Sequence, residues 1–264
     1  MELKYLHLLV THTNGISISI LTIRKTNPRK FILKKTYGSK YLIITNIITT
    51  NMQNSYYNAN AAYESLLDNV IQNGVEFDDT KALFNCGFYI RNPLENLITN
   101  KERNWSLEYA EAEWAWYLSG NPSIDKLGEL YGKIPPIWEK MADSNRKVNS
   151  NYGYQWKRNN QIDYVVAKLR QNPKTRHAAI SIYDGKEFDD YKKDTPCTYA
   201  VQFTIINELV NMSVYMRSND IWYGFCNDQY QFSMLQQMIA KRLNRKVGWY
   251  YHHAHNMHLY NNKL

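Results

Sequence analysis

Cys197 stands in "DTPCTYAVQF", directly after Pro196 and directly before a run of strand-forming residues. A thiol at the start of a strand can face an open site. It reads either as a nucleophile, if nearby positive charge supports its thiolate, or as a small buried apolar residue. Arg217 and Ser218 close the strand-like run "VYMRS". A guanidinium fork beside a hydroxyl matches the oxygens of a phosphate, and the plain alternative is a surface arginine at a strand end. Arg176, in "NPKTRHAA", carries the same two readings. Glu113 falls among Trp114, Trp116 and Leu118. It is either an outward-facing helix residue or an acid whose pKa burial raises.

Asp228 belongs to "GFCNDQY", just before an amphipathic run. Asp and Asn are preferred helix caps. With two such residues adjacent, Asn227 can cap and leave Asp228 free to read a ligand. The stretch "YYHHAHNMHLY" holds His252, His253, His255 and His258. On a strand, His253 and His255 share a face, as do His258 and Tyr260. The first pair could ligate a metal, but no acid or cysteine stands at metal-binding spacing from it. The second pair suits a sugar hydroxyl.

These residues need elements to hold them in place. Helical periodicity appears in "NANAAYESLLDNVIQNG", ending at Gly74, and in "SLEYAEAEWAWYLSGN", capped by Ser106 and ended by Gly120. A third helix, "QIDYVVAKLRQNP", stops before Pro173, and "DQYQFSMLQQMIAKRL" places Phe232, Leu235, Ile239 and Leu243 on one face. "HAAISIYD" and "GWYYHHAHNMHLY" read as strands. "TYAVQFTIINELVNMSVYMRS" reads as two strands around a turn at Asn207-Glu208. Helices mixed with strands able to pair antiparallel predict an α+β fold.

The formal charge of +8 concentrates in residues 1–50, which hold eight Lys/Arg against Glu2 alone. Residues 51–264 are left at +1, so the main body has no overall field suited to nucleic acid. The 3 cysteines make no disulfide framework. No apolar run approaches the ~20 residues of a membrane span, and "LHLLV" is too short for a secretory signal. The expected location is a reducing cytoplasm. Residues 1–52 read as a basic extension with short strands ("ISISILTI", "YLIITNIITT"), 50–61 as a polar linker, and 53–264 as the body. Met52 is a candidate start of that body.

Seven segments in order resemble the thymidylate synthase superfamily over roughly residues 58–262: "EWAWYLSGNPSI", "PPIWEKMAD", "NSNYGYQW", "NPKTRH", "TPCT", "MRSND" and "MHLY". Counted without a gap from Arg217, the family's base-reading Asn falls on Asp228. Asp at that place, Cys-Thr in place of Cys-His, "MRSND" and "NSNYG" are all similar to the phage deoxycytidylate (dCMP) hydroxymethylase branch. An amide both donates and accepts, which suits uracil. An ionised carboxylate only accepts, which suits the exocyclic amino group of cytosine and repels the uracil carbonyl.

The resemblance implies a mixed or antiparallel β-sheet flanked by helices and dimerising through the sheet. It also implies transfer of a one-carbon unit from 5,10-methylenetetrahydrofolate to carbon 5 of dCMP, followed by water addition, with no metal. It assigns Cys197 as the nucleophile, Glu113 as the acid/base and Asp228 as the base reader. Arg217, Ser218 and Arg176 would hold the phosphate, Arg176 reaching across a homodimer. His258 and Tyr260 would hold the deoxyribose, with Tyr152 near Cys197. Trp138, Asp220 and Gly224 would line the folate. The sequence departs from the pattern at His177, in place of a second arginine, and near "FDDTKA", where Lys81 stands in for a phosphate arginine. Four residues follow Tyr260, where the synthases have a longer tail. The competing readings are thymidylate synthesis from dUMP, hydroxymethylation of another pyrimidine nucleotide, a catalytically silent nucleotide binder, and a histidine metalloenzyme.

Overall fold

The computed structural model of the chain describes residues 33–37, 40–44, 54–185 and 194–264. Contacts divide it into two units, Met1–Met52 and Gln53–Leu264. In the first unit, β1 (Leu33–Tyr37) and β2 (Lys40–Ile44) form an antiparallel pair. The expected strand "ISISILTI" lies outside the described residues, as does the part of "YLIITNIITT" beyond Ile44.

The second unit is built on one mixed sheet. Its strands are β3 (Ser55–Tyr56), β4 (Val75–Phe77), β5 (Thr80–Ile90), β6 (Ala179–Ser181), β7 (Thr198–Ile206), β8 (Leu209–Asp220) and β9 (Lys246–Tyr260). They run in the order β3-β5-β9-β8-β7-β6, with β4 paired to β5. The β3–β5 and β8–β9 pairs are parallel and the others antiparallel. The helices are α1 (Ala59–Asn73), α2 (Leu107–Ser119), α3 (Ile124–Tyr131), α4 (Pro136–Met141), α5 (Tyr152–Lys157), α6 (Gln161–Gln171) and α7 (Gly224–Arg242). This is the α+β arrangement the periodicities predict. Among the described residues, no helix is long and apolar enough to cross a membrane.

β9 lies between β5 and β8 and carries the alternation of a strand with one covered face. Tyr250, His252 and Ala254 are buried, whereas Tyr251, His253 and His255 are not. His253 and His255 therefore do share a face. Among the described residues, no group of three or more His, Cys, Asp or Glu side chains is placed to hold a metal. The β7–β8 turn falls at Asn207-Glu208, as the sequence predicts, and both residues have positive φ, 50° and 64°. That is the two-residue geometry whose twist matches the flanking strands.

Three expectations change. The linker 50–61 contains β3 and the start of α1, because a two-residue strand has no period to read. β5 shows no clean alternation, with both Phe84 and Asn85 exposed, yet it pairs on both sides. α7 begins at Gly224 rather than at Asp228, so neither Asn227 nor Asp228 is its cap. The entry turn is closed instead by Asp220, whose carboxylate accepts the backbone N–H of Trp222 at 3.0 Å and of Tyr223 at 2.8 Å. Asn227 accepts from the Trp105 indole N–H at 2.8 Å and donates to the Tyr223 carbonyl at 3.1 Å.

α2 is capped as its sequence predicts. The Ser106 hydroxyl accepts the Tyr109 N–H at 3.1 Å, and Gly120 adopts the left-handed conformation at φ 67°. α5 packs directly on the end of α2. A Cβ on Gly153 would lie 1.8 Å from the Tyr117 carbonyl oxygen, so only glycine permits this approach. We expect Gly153→Ala to lower stability by about 3 kcal/mol through overpacking, read as a reduced denaturation midpoint. An unchanged midpoint would contradict the backbone contact.

Candidate active site

Cys197 immediately precedes β7, and Arg217 lies near the end of β8. Hairpin pairing brings the two together, with the Arg217 backbone N–H donating to the Cys197 carbonyl at 2.7 Å. The Arg217 guanidinium donates through Nη2 to the Thr195 carbonyl at 2.7 Å and through Nε to the Pro196 carbonyl at 3.2 Å. Arg217 thus grips the loop that presents the thiol. Asp194 anchors that loop from the other side, accepting the Ser150 N–H at 2.6 Å and its hydroxyl at 2.5 Å. Tyr152, two residues after Ser150, is buried among Cys197, Thr198 and Asp228. Burial pushes the half-buried Cys197 thiol up to about 11, more than Arg217 lowers it, and Asp228, Asp194 and Asp220 add to the rise.

Glu113 is 4% exposed, so it is not an outward-facing helix residue. Its Oε1 accepts the Tyr109 hydroxyl at 2.8 Å, and its Oε2 accepts the Gln231 side-chain N–H at 2.9 Å. The Tyr109 oxygen in turn accepts the Trp138 indole N–H at 2.8 Å. Trp138 is thereby wired to Glu113 through one tyrosine. Burial pushes the Glu113 carboxyl up to about 7, against the two hydrogen bonds that favour its ionised form.

Asp228 lies on the second turn of α7, and its Oδ2 accepts the Asn219 side-chain N–H at 2.7 Å. Part of the residue remains accessible, yet the carboxyl itself sits among Glu113, Asp220 and Tyr152. Burial first and the Glu113 charge second push it up to about 8, with Asn219 opposing. An acid at that value keeps its proton through most of the population at pH 7. The ionised carboxylate expected from the sequence is therefore the minor form in the unliganded protein. Gly224 stands against this pair: a Cβ there would lie 2.9 Å from Asn219 Nδ2 and 3.4 Å from Asp228 Oδ2.

The parallel β8–β9 pairing sets Ser218 opposite Asn256 and Asp220 opposite His258. His258 Nδ1 lies 2.9 Å from the Asn256 side-chain oxygen and 3.5 Å from the Ser218 hydroxyl. Burial lowers the His258 pKa, which favours the neutral ring, and an Nδ1–H shared with Asn256 leaves Nε2 as an acceptor. The Tyr260 ring meets His258 edge-on at 5.2 Å. Two predicted residues stand apart. Arg176 is exposed just before β6 and forms no ion pair among the described residues. Lys81 donates to the Ile71 carbonyl at 2.8 Å, closing the end of α1 rather than standing in for a phosphate arginine.

A model of the family described as thymidylate synthase matches residues 61–264. The chain belongs to the thymidylate synthase family. Over 142 residues it is 37% identical to the deoxycytidylate 5-hydroxymethyltransferases of Enterobacteria phages T4 and T2, a match covering 50% of this chain and 56% of each relative. The matched part thus spans about half the length of those relatives. The chain is also 25% identical over 224 residues to a thymidylate synthase of Bacillus mojavensis, covering 75% of this chain and 78% of the relative. Among solved structures, the thermostable thymidylate synthase A from Bacillus subtilis superposes with a TM-score of 0.66 at 24% identity, over 77% of this chain and 80% of that one. This last likeness shows the fold.

Within this thymidylate synthase-family chain, Cys197, Arg217, Glu113, Asp228, Ser218, His258, Tyr152, Trp138, Asp220 and Gly224 form one connected neighbourhood. Sequence reasoning missed four of its members: Tyr109, Gln231, Asn219 and Asp194. Tyr109 had a usable signal, since it stands four residues before Glu113 on the same helix. The other three reach the site only through tertiary contact.

Raised carboxyl pKa values fix a stability prediction. An acid protonated in the folded state and ionised in the unfolded one makes stability fall as pH rises from the ordinary carboxylate range toward the folded value. For Asp228 that window runs from the usual Asp value to about 8. Asp228→Asn should therefore melt higher than the wild type at pH 8 and at nearly the same temperature at pH 4, by calorimetry. A variant less stable at both pH values would contradict the assigned proton.

Proposed function

We propose that this chain transfers a one-carbon unit to carbon 5 of a pyrimidine deoxynucleotide, that the nucleotide is dCMP, and that water completes the product as 5-hydroxymethyl-dCMP. The observation that carries this reading is Asp228, a proton-holding carboxyl beside the Cys197 nucleophile. A neutral carboxyl can donate to cytosine N3 and accept from the exocyclic amino group. When the Cys197 sulfur bonds to carbon 6, electron density moves onto N3, which takes the Asp228 proton. The carboxylate left behind stabilises the protonated ring, and carbon 5 becomes nucleophilic. The thiol must lose its proton for this step. Arg217 is the group that favours the thiolate, and the same guanidinium has Nη1 without a hydrogen-bond partner among the described residues, suited to a phosphate oxygen. Ser218 adds a hydroxyl donor. His258 Nε2 and the Tyr260 hydroxyl suit the deoxyribose.

The proposed donor is 5,10-methylenetetrahydrofolate, which supplies the methylene carbon. Trp138 fits a flat ring system: it is partly buried, and its indole N–H is already satisfied by Tyr109. Gly224 keeps the neighbouring helix start free of side-chain bulk, and Asp220 holds the turn beside it. Glu113, at about 7, can release or hold a proton at neutral pH. It suits both loss of the carbon-5 proton and activation of the incoming water. The second reading is methylation of dUMP, favoured by the thymidylate synthase relative of Bacillus mojavensis.

Incubation with dCMP or dUMP and methylenetetrahydrofolate, with products identified by mass, decides between them. Hydroxymethyl-dCMP is expected; thymidylate alone would overturn the proposal. Asp228→Asn should lower the dCMP rate at least a hundredfold and move selectivity toward dUMP, since one lost charge-assisted contact is worth roughly 1.5–3 kcal/mol in each state.

The chain is also proposed to act as a homodimer through the sheet. The outward sheet face presents Tyr89, Tyr215, Trp249, Tyr251 and His253, and Arg176 lies exposed at its β6 end. If Arg176 serves the partner's phosphate site, Arg176→Ala and Cys197→Ala are each inactive alone. Mixed and refolded in equal amounts, they should recover about a quarter of the wild-type rate, because half the dimers are hybrids with one intact site. Absence of recovery in verified hybrids would contradict the crossing arginine.

A further inference from the structure

A neutral carboxyl does not by itself choose between cytosine and uracil. Its hydroxyl can face cytosine N3 while its carbonyl accepts the exocyclic amino group. With the two oxygens exchanged in role, its carbonyl can accept uracil N3–H while its hydroxyl faces the exocyclic carbonyl. Something must fix which oxygen carries the proton, and something must tell an amino group from a carbonyl.

Asn219 has the geometry for both. It is 3% exposed, near the end of β8, and its Nδ2 donates to Asp228 Oδ2 at 2.7 Å. An oxygen that receives this N–H is the better acceptor, so the proton belongs on Asp228 Oδ1. The other end of the same amide, Asn219 Oδ1, is buried without a hydrogen-bond partner. Leaving a buried acceptor unpaired is costly, and such an atom beside a ligand-reading acid is an unfilled contact. The arrangement is sterically built in, because Gly224 alone leaves room for the Asn219 amide and the Asp228 carboxyl to meet.

We propose that Asn219 is the second half of the base reader. Its N–H fixes Asp228 Oδ2 as an acceptor, and its own Oδ1 takes the second N–H of the cytosine amino group. The exocyclic substituent then lies between two acceptors, Asp228 Oδ2 and Asn219 Oδ1. An amino group has one hydrogen for each. A uracil carbonyl would face two oxygens and have no hydrogen to offer, which excludes it by repulsion as well as by lost bonds. The reverse orientation of the amide would aim a donor at the substituent and favour uracil, so the sign of the wild-type preference reports the orientation.

The inference rests on the proposed reading of Asp228 as the base-contacting group, and the test separates the two. Binding of dCMP and dUMP is measured by calorimetry across pH for the wild type, Asn219→Ala and Asn219→Leu. The leucine variant preserves volume if the alanine variant does not fold, and circular dichroism checks each. The wild type should prefer dCMP. Both variants should lose roughly tenfold or more of that preference, the size expected for an unpaired polar contact. The pH midpoint of dCMP binding should also move upward, because the N–H favouring the ionised form of Asp228 is gone; a merely structural role would not shift it. A folded variant that keeps the full dCMP preference overturns the role of Asn219 and leaves that of Asp228 standing. Wild-type protein that binds dUMP as tightly as dCMP, or more tightly, overturns both.

Discussion

Burial of the Asp228 carboxyl beside Glu113, with a single amide to hold it, governs the chemistry available around Cys197. Two acids within one low-dielectric neighbourhood cannot both ionise cheaply. Asp228 therefore keeps its proton at neutral pH, Glu113 sits near its midpoint, and the thiol stays protonated until substrate arrives. The unliganded site is a store of protons at the positions where a pyrimidine ring would need them. That arrangement costs folding stability at neutral and higher pH, which is the usual relation between a strained functional site and the scaffold around it.

The scaffold exists to hold that neighbourhood together. The β7–β8 hairpin sets Cys197 against Arg217, and its two left-handed turn residues fix the register. The parallel β8–β9 pairing places Ser218 and Asp220 opposite Asn256 and His258. α7 supplies Asp228 and Gln231, and α2 supplies Tyr109 and Glu113, so the Gln231–Glu113 bond ties the two helices across the site. The glycine contact of α5 on α2 seats Tyr152 beside them. Each acid is thus gripped by a neutral polar group from another element, which holds its direction without adding charge.

Much of this was legible from residue types. Ser106 and Gly120 mark the ends of α2, and Asn207-Glu208 marks the hairpin, because cap and turn chemistry are local. The residues of the expected site were legible from the order of seven segments. β5 was not, since its exposed Phe84 and Asn85 break the alternation while its partners lie far away in sequence. The start of α7 was misplaced for a related reason. "ND" looks like a cap, but Asp220 closes that turn four residues before the helix begins, and Asp228 lies on the helix itself. The protonation of Asp228 was out of reach as well. It depends on Glu113, more than a hundred residues earlier, and on burial that only the packed structure defines.

The central claim concerns a proton on one side chain, and infrared difference spectroscopy observes it directly. Protein labelled with carbon-13 at aspartate carboxyls would be compared with the labelled Asp228→Asn variant at pH 7, without ligand. The account predicts a neutral-acid carbonyl band in the wild type that the variant lacks, and its loss to a carboxylate band as pH is raised past about 8. A difference spectrum showing only ionised carboxylate from Asp228 at pH 7 would contradict it.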